Sequence, residues 1–343
     1  MIIKHLLLIY LMKPIEQVII ENNTSIKPVW FMRQAGRYLP EFRNIRLKNK
    51  DFIKLCLNAD LVPEITLQPL KRFEIDAAII FSDILMIPYA IGQPVRFQKD
   101  FGPILGSLDN VKNNDLTEHK FINKLNPVYK AISKTTISLK GKNKSLIGFV
   151  GAPWTILVYM INKQSPKKEL SKSLSNEKVK LDLLKIILNY TKIHIREQIK
   201  HGADLIQIFD SWAGLASNGD IKKYIYESTT ELVEFTKSLN VPVICFPREI
   251  KNYREYVDVV RPSVVNIDYN VNIKEILKQI SIPIQGGLDP KYLLDDTDIL
   301  RSESLKILNM FKDHPYIFNL GHGVLPQTDP NMVEYLVNLV KDY

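Results

Sequence analysis

The stretch PVWFMRQAGRYLPEF, residues 28–42, places two arginines directly behind an apolar run. Residues 29–32 are apolar, and Arg33 and Arg37 follow them, four positions apart, with Gly36 between them. A run that is apolar at every position is typical of a strand buried on both faces, as in a parallel sheet covered by helices. We therefore interpret residues 29–32 as a strand, Gly36 as the residue that lets the chain turn, and the two arginines as part of the loop that follows.

Further short apolar runs repeat this pattern along the chain. They lie at residues 77–81, 146–150, 205–209, 241–246, 264–267, 282–284 and 316–319. Most are separated by segments long enough for a helix, and residues 178–200 and 221–239 carry apolar side chains at three- and four-residue steps. Eight strands that alternate with helices predict an α/β fold, a single-domain (β/α)8 TIM barrel, with an open doubly wound sheet as the alternative.

One segment breaks the alternation of strands and helices. Residues 93–104, QPVRFQKDFGPI, contain glycine and proline breaks between the second and third runs. We interpret this segment as a hairpin or excursion on the surface where the strands end.

The composition is that of a globular protein. Of the 343 residues, 45% are hydrophobic and 24% are charged. The formal net charge of +9 could attract a polyanion, but the lysines are dispersed, and we attribute most of the charge to composition rather than to nucleic acid. Only two cysteines, Cys56 and Cys245, occur, which predicts no disulfide framework and a reducing, cytoplasmic compartment.

Residues 1–11 are predicted to be an extra N-terminal segment, and residues 12–343 to form the barrel domain. The apolar run at residues 6–12 is too short to span a bilayer, and no small-residue cleavage site follows it. We therefore expect either a helical extension or an upstream start before the usual beginning at Met12. A signal peptide is the alternative, and no membrane association is expected.

The loops that follow the strands build the functional site of such a barrel. Here they place Asp83 after the second run, Tyr159 after the third, Ser211 after the fourth and His322 after the eighth. Asp83 is the most informative, because an unpaired carboxylate behind an apolar strand is costly and therefore indicates a partner or a ligand. The arginines of the first loop indicate a carboxylate or a phosphate.

Simpler structural roles remain open for several of these loop residues. Asp210 and Asp289 are well placed to cap the helices that follow them. Glycines such as those of Gly321-His322-Gly323 can serve a left-handed backbone, and Tyr159 can serve packing. No CxxC, HExxH, GxGxxG or P-loop pattern occurs, so the sequence predicts neither a metal site nor a cofactor.

These residues resemble the uroporphyrinogen decarboxylase family. The stretch at residues 28–42 is similar to the N-terminal signature of the family, and further blocks follow in the family's order from Met12 to the C-terminus: AAIIFSDIL, GFVGAPWTILVYM, DSWAG, QGGLDP and NLGHGVLPQTDP. The resemblance implies a cofactor-free (β/α)8 barrel, commonly a homodimer. It also implies removal of carbon dioxide from the four acetate groups of uroporphyrinogen III, which gives coproporphyrinogen III on the path to haem.

The resemblance implies a division of roles among the site residues. Asp83 matches the family's aspartate, whose carboxylate accepts pyrrole N–H groups and stabilises the cation formed when a pyrrole is protonated. Arg33 and Arg37 are expected to bind the acetates and propionates, since their fork geometry suits carboxylates. We expect Arg33 to position and polarise the reacting acetate, and the proton donor stays open.

A second group of residues completes the expected substrate contacts. Tyr159, Ser211 and His322 match family positions that contact substrate carboxylates or surround the aspartate. Arg46 is a further candidate for a carboxylate contact, with a solvated helix charge as the alternative. Gln34 and Phe209 are expected to form walls of the pocket.

Two blocks depart from the family pattern, and two other functions compete. Gly287 stands where the family has asparagine, and Arg248-Glu249 stands where it has lysine and glycine, which puts the local loop shape in doubt. A corrinoid-linked methyltransferase with a zinc site is one alternative, although Cys245 has no partner cysteine late in the chain. A non-catalytic protein that binds tetrapyrroles or nucleic acid is the other alternative.

Overall fold

Seven parallel strands form one curled sheet in the computed structural model, which describes residues 12–98, 101–112, 116–166, 170 and 176–343. The strands of this sheet, in spatial order, are β1 (Ala77–Ile79), β4 (Ser145–Gly151), β5 (Leu205–Asp210), β6 (Val243–Pro247), β7 (Val264–Ile267), β8 (Ile284–Gly286) and β9 (Tyr316–Ile317). Each coincides with a predicted apolar run, with bounds shifted by a few residues. The predicted N-terminal segment at residues 1–11 lies outside the described residues.

The prediction of a regular strand at residues 29–32 is wrong. Val29 forms only an isolated parallel bridge to Phe318, behind β9, and its carbonyl accepts from the Asp76 N–H at 2.7 Å, just before β1. Here polar side chains, rather than the backbone of a neighbouring strand, accept the hydrogen bonds of the Val29 and Met32 amides. The Val29 N–H donates to the Asp76 carboxylate at 2.7 Å, and the Met32 N–H donates to Asn319 Oδ1 at 3.2 Å. The sheet is therefore a curled seven-stranded one, and the predicted barrel is confirmed only in this coarser form.

The predicted hairpin is confirmed. Strands β2 (Val95–Gln98) and β3 (Gly102–Leu105) pair in antiparallel register, with Val95 opposite Leu105. This hairpin stands apart from the main sheet and supplies side chains to the cavity described below.

Helices connect the strands and cover the outer face of the sheet. In the described chain they are α1 (Pro14–Ile20), α2 (Pro40–Lys48), α3 (Phe52–Cys56), α4 (Leu61–Arg72), α5 (Met86–Ala90), α6 (Asp109–Lys112), α7 (Glu118–Leu139), α8 (Pro153–Asn162), α9 (Glu177–Lys200), α10 (Asn218–Asp220), α11 (Ser228–Ser238), α12 (Tyr253–Val260), α13 (Ile273–Leu277), α14 (Thr297–Met310) and α15 (Pro330–Lys341). The helix predicted at residues 178–200 is confirmed. That at 221–239 begins as a π-helix, Ile221–Glu227, and continues as α11.

Local sequence explains why α9 begins where it does. The Asn176 side chain accepts from the Val179 N–H at 3.1 Å, which satisfies one of the free amides of the first turn. Ile187, Leu188 and Ile195 then recur on one face of α9 and are buried there. None of the helices in the described part of the chain is long and apolar enough to cross a bilayer.

Two apolar clusters hold the fold together. The larger cluster lies between the sheet and the outer helices, as alternate strand residues require. The smaller cluster fills the inside of the curl and includes Trp30, Ile147 and Ile244. Helix α1 adds Ile15 and Val18 to it. The open end of the curl lies at the carboxyl ends of the strands, where the loops expected to build the site emerge.

Candidate active site

A cavity of about 500 Å³ lies at the carboxyl ends of the strands. Its wall includes most of the predicted site residues, which are Arg33, Arg37, Asp83, Tyr159, Phe209, Ser211 and His322. They come from loops far apart in sequence, so the fold brings together the residues that the resemblance selected. Two predicted residues, Gln34 and Arg46, are not part of the wall.

The arginine loop, residues 33–37, bends at Gly36, where the sequence predicted a turn. Its left-handed backbone lies at Arg33, whose φ is 60°, and not at Gly36. Gly36 serves close approach instead, since a Cβ there would lie 2.8 Å from the Arg33 carbonyl oxygen. On the other side, a Cβ at Gly323 would overlap the Arg33 side chain. Two glycines therefore leave the space in which Arg33 packs.

The arginine loop presents two guanidinium groups to the cavity. Both side chains are exposed there, and neither forms an ion pair with another residue of the described chain. Desolvation is the largest effect on Arg33 and lowers its pKa, and the charges of Arg37 and Arg248 lower it further, while Tyr159 and Asp83 oppose them. Positive charges held together without counter-ions favour an anionic ligand, and the planar fork favours a carboxylate.

Asp83 supplies a carboxylate to the same cavity. Its Oδ1 accepts from the Leu85 N–H at 2.8 Å. Burial among apolar walls raises the pKa of Asp83 to about 6, whereas the Leu85 amide and the Arg33 charge oppose the rise. The carboxyl group is thus ionised at neutral pH but poorly solvated by protein donors. It retains capacity to accept N–H groups from a ligand.

Tyr159 and His322 form polar parts of the wall. Burial raises the pKa of Tyr159, whose ring meets the Trp212 ring edge-on at 5.9 Å between centroids. Burial and the nearby Arg33 and Arg248 charges lower the pKa of His322 to about 4. At neutral pH His322 is therefore neutral, and it can both donate and accept a hydrogen bond.

The loop that carries Ser211 is held by a buried carboxyl group. Asp210 Oδ1 accepts from the Thr155 hydroxyl at 2.6 Å, and the Thr155 oxygen accepts from the Trp212 N–H at 3.0 Å. Burial raises the pKa of Asp210 to about 7. Asp210 thus fixes the loop through Thr155 rather than capping a helix. Asp289 does act as a cap, since its side chain accepts from the Lys291 N–H at 2.9 Å.

Gln34 and Arg46 lie beside the cavity rather than in its wall. Gln34 is buried, donates to the Ala77 carbonyl at 2.9 Å and accepts from the Phe31 N–H at 3.0 Å. It therefore ties the arginine loop to β1. Arg46 donates to the Asn49 carbonyl, and its guanidinium lies 5.3 Å from the centre of the Phe52 ring, itself a wall residue.

Sequence reasoning missed several residues of the wall. Arg248 lines the cavity, although the sequence placed it only in the loop after the fifth apolar run and not among the site residues. Its place directly behind β6 was the signal that could have selected it as a site residue. Apolar wall residues from the hairpin and the strands were also missed, namely Phe97, Phe149 and Phe246.

Neither cysteine is placed as a metal ligand. Cys245 lies within β6 and is fully buried, and burial raises the pKa of its thiol to about 12. Cys56 is likewise buried, with its pKa raised well above the usual value. In the described residues no three His, Cys, Asp or Glu side chains group as a metal site requires. The described residues therefore do not provide the His and Cys zinc site that the methyltransferase alternative would use.

Known proteins resemble this chain over nearly its full length. The family model described as uroporphyrinogen decarboxylase (URO-D) matches residues 11–343. The uroporphyrinogen decarboxylase of Wolbachia pipientis wMel is 43% identical over 320 residues, which cover 92% of this chain and 94% of that protein. That of Orientia tsutsugamushi (strain Ikeda) is 39% identical over 341 residues, covering 97% and 99%.

A solved structure supports the fold. A methyltransferase from Methanosarcina mazei matches with a TM-score of 0.77 over 96% of this chain and 98% of its own, and the 15% identity restricts the likeness to the fold. The family model, in contrast, spans almost every residue, including all the loops that build the cavity. This chain therefore belongs to the uroporphyrinogen decarboxylase family.

Proposed function

We propose that this chain decarboxylates uroporphyrinogen III in haem biosynthesis, converting its four acetate groups to methyl groups and giving coproporphyrinogen III and carbon dioxide. One observation carries the proposal: a carboxylate, Asp83, faces the same apolar cavity as two arginines, Arg33 and Arg37, that have no acidic partner in the described chain. A tetrapyrrole with N–H groups at its centre and carboxylates at its edge complements this arrangement. Family membership supports the same activity.

The substrate itself can act as the electron sink. Protonation of a pyrrole carbon makes the ring electron-poor, and the electron pair of the breaking C–C bond then flows into the ring as carbon dioxide leaves. A proton added to the former acetate carbon completes the methyl group, and the ring carbon returns its proton. This chemistry explains why the sequence predicts no cofactor, since cofactors of decarboxylases commonly provide such a sink.

Asp83 stabilises the charge that develops in the first step. Pyrrole N–H groups that point to one face of a domed macrocycle can donate to its carboxylate, each contributing about 1.5–3 kcal/mol. The same negative charge favours the protonated pyrrole more than the neutral one. Binding therefore strengthens toward the transition state, which is the condition for catalysis.

Arg33 and Arg37 position the acetates and propionates. Their guanidinium groups bind carboxylates bidentately and keep the substrate oriented above Asp83. The desolvation that lowers the Arg33 pKa also strengthens its interaction with a bound carboxylate. Arg33 polarises the reacting group, and Tyr159, Ser211 and neutral His322 add hydrogen bonds around it.

The proposal includes a closed barrel of the (β/α)8 type, in which residues 28–32 take the place of the eighth strand without forming a regular one, a homodimer and a cytoplasmic enzyme. Barrel closure is supported by residues 28–32, which contact both β9 and the start of β1 through Phe318 and Asp76. The homodimer and the location follow from the family resemblance. Light scattering of the purified protein tests the dimer, and a mass of about 40 kDa would contradict it, since one chain weighs 39.6 kDa.

A direct assay tests the activity. Purified protein is incubated anaerobically with uroporphyrinogen III, and the oxidised products are separated by their number of carboxyl groups. We expect porphyrins with seven, six and five carboxyl groups to appear and then a four-carboxyl product, with one carbon dioxide released per step. Unchanged uroporphyrinogen in the presence of folded protein would overturn the proposed function.

A further inference from the structure

A third arginine of the cavity, Arg248, has an acidic partner. It follows β6 and lines the cavity, and its Nη2 donates to Glu249 Oε1 at 2.5 Å. The Arg248 side chain is 23% exposed and that of Glu249 is 55% exposed. The pair thus lies at the mouth, with the arginine turned inward and the glutamate open to solvent. An ion pair exposed to this degree is weak and easily exchanged.

Neighbouring residues fix the backbone of this pair. The Arg248 N–H donates to the Asp210 carbonyl at 3.1 Å, and the Arg248 carbonyl accepts from the Gly214 N–H at 3.0 Å. The Glu249 N–H donates to Asp268 Oδ2 at 2.6 Å, and the φ of Glu249 is 61°. A Cβ at Gly214 would lie 2.5 Å from the Glu249 Cβ. Only the two side chains are therefore free to rearrange.

Arg248 lines the same cavity as the predicted site residues Arg33 and His322 and interacts with both electrostatically. Its charge lowers the pKa of both Arg33 and His322. All three side chains line the one cavity, so a ligand that reaches Arg33 also comes within the field of Arg248. Of these two arginines, only Arg248 is paired with an acid in the described chain.

We propose that Arg248 binds one peripheral carboxylate of the tetrapyrrole and that Glu249 competes with that carboxylate for the guanidinium. The inference rests on the proposed function and names the part of the substrate that this wall receives. Binding exchanges one ion pair for another, because the ligand carboxylate replaces Glu249 on the fork of Arg248. The competition weakens binding of carboxylate ligands at this wall and thereby speeds their release.

A double-mutant cycle tests this competition. The variants are Arg248→Gln, Glu249→Gln and the double variant, and the readouts are KM and kcat for uroporphyrinogen III and the inhibition constant of coproporphyrinogen III. We expect Arg248→Gln to raise KM about tenfold. Glu249→Gln should lower KM and the inhibition constant about threefold, because Arg248 is then free. In the double variant the benefit of Glu249→Gln should disappear.

Several controls separate the possible failures. Glu249→Gly suits the left-handed backbone and should lower KM as Glu249→Gln does, so a folding defect of the glutamine variant leaves the test intact. Arg254→Gln removes an exposed arginine that pairs with Asp258 on α12, and it should leave KM unchanged.

The results distinguish this inference from the proposed function. A wild-type protein that does not convert uroporphyrinogen contradicts the function itself. A wild-type protein that converts it, with the same effect of Glu249→Gln whether or not Arg248 is present, contradicts the competition. An unchanged KM in both Glu249 variants also contradicts it.

Discussion

The two ends of the sheet both carry basic cavities, but most of their cations are partnered differently. At the amino ends of the strands, a cavity of about 660 Å³ is lined by Lys27, Lys341 and the exposed Lys312. Lys341 contacts both oxygens of the Asp76 carboxylate at 2.6 Å. Lys27 donates to three carbonyl oxygens, those of Thr24, Lys312 and His314.

The cations at the carboxyl ends are satisfied differently. Arg33 and Arg37 have no acidic partner in the described chain, and they line the cavity of about 500 Å³. Positive charge alone therefore does not separate a binding site from a structural cavity. The difference lies in whether the donors already have acceptors within the protein.

We expect the largest effect from Asp83→Asn, which tests the role of the carboxylate in the carboxyl-end cavity. We expect Asp83→Asn to lower kcat/KM about 10²–10³-fold, because an amide cannot stabilise the protonated pyrrole as a carboxylate does. The fold should be retained, since removing a poorly solvated charge relieves a desolvation cost. Kinetics and thermal unfolding check both points. Near-normal coproporphyrinogen formation by folded Asp83→Asn protein would remove Asp83 from the mechanism.

The next effect tests the unpaired arginines. Arg33→Gln and Arg37→Gln should each raise KM about 10- to 100-fold, the equivalent of losing about 1.5–3 kcal/mol of charge-assisted hydrogen bonding. Thermal stability should change little, because no acid in the described chain loses its partner. Unchanged KM with reduced stability would instead assign these arginines to the fold.

The pH dependence tests the state of Asp83. With its pKa raised to about 6, the carboxylate forms as pH rises through 6, and kcat/KM should fall about tenfold per pH unit below that value. Asp83→Asn should abolish this limb. The buried Asp210, with its pKa raised to about 7, is the competing source, and Asp210→Asn distinguishes the two.

The contribution of Asp83 to folding stability should change with pH in the direction opposite to its contribution to kcat/KM. A folded-state pKa above that of the unfolded chain means that the folded protein binds more protons between about pH 4 and pH 6. The contribution of Asp83 to stability therefore falls as pH rises through this window. Thermal unfolding across the window, compared with Asp83→Asn, checks the sign.

We expect a smaller effect from Lys341→Met, which tests the role of the amino-end cavity. Lys341→Met leaves the buried Asp76 carboxylate without its cation and should lower the free energy of unfolding by about 1–3 kcal/mol. KM should not change, provided that the arginine loop stays in place. A large rise in KM at full stability would give the amino-end cavity a role in binding.

No effect is expected from metal removal. Exhaustive chelation of the purified protein should leave uroporphyrinogen turnover unchanged, because the substrate provides its own electron sink. Loss of activity that added metal restores would contradict this prediction.

Apolar runs made most of the sheet predictable, because strands buried on both faces must be apolar throughout. Asp83 was predictable for a related reason, since a carboxylate behind such a strand needs a partner. The bridge at Val29 was not predictable. Its pairing depends on side chains of Asp76 and Asn319, which lie far along the chain.

The detailed shape of the arginine loop was also beyond the sequence. Glycine is the usual residue with positive φ, yet in this loop Arg33 takes that conformation. The role of Gly36 depends on one close contact with the Arg33 carbonyl oxygen, which no local pattern encodes. Arg248 was placed in a loop after a strand but left out of the site residues, because its block departs from the family pattern.

The bridge between Val29 and Phe318 has a consequence for the order of synthesis. Met32, which directly precedes the arginine loop, donates to Asn319, a residue 287 positions later, and Asp76 meets Lys341 265 positions later. A nascent chain therefore carries Asp83 and both arginines long before the contacts that fix the arginine loop exist. Asn319 must therefore be synthesised before Met32 has its acceptor, and the arginine loop is held in place only from that point on.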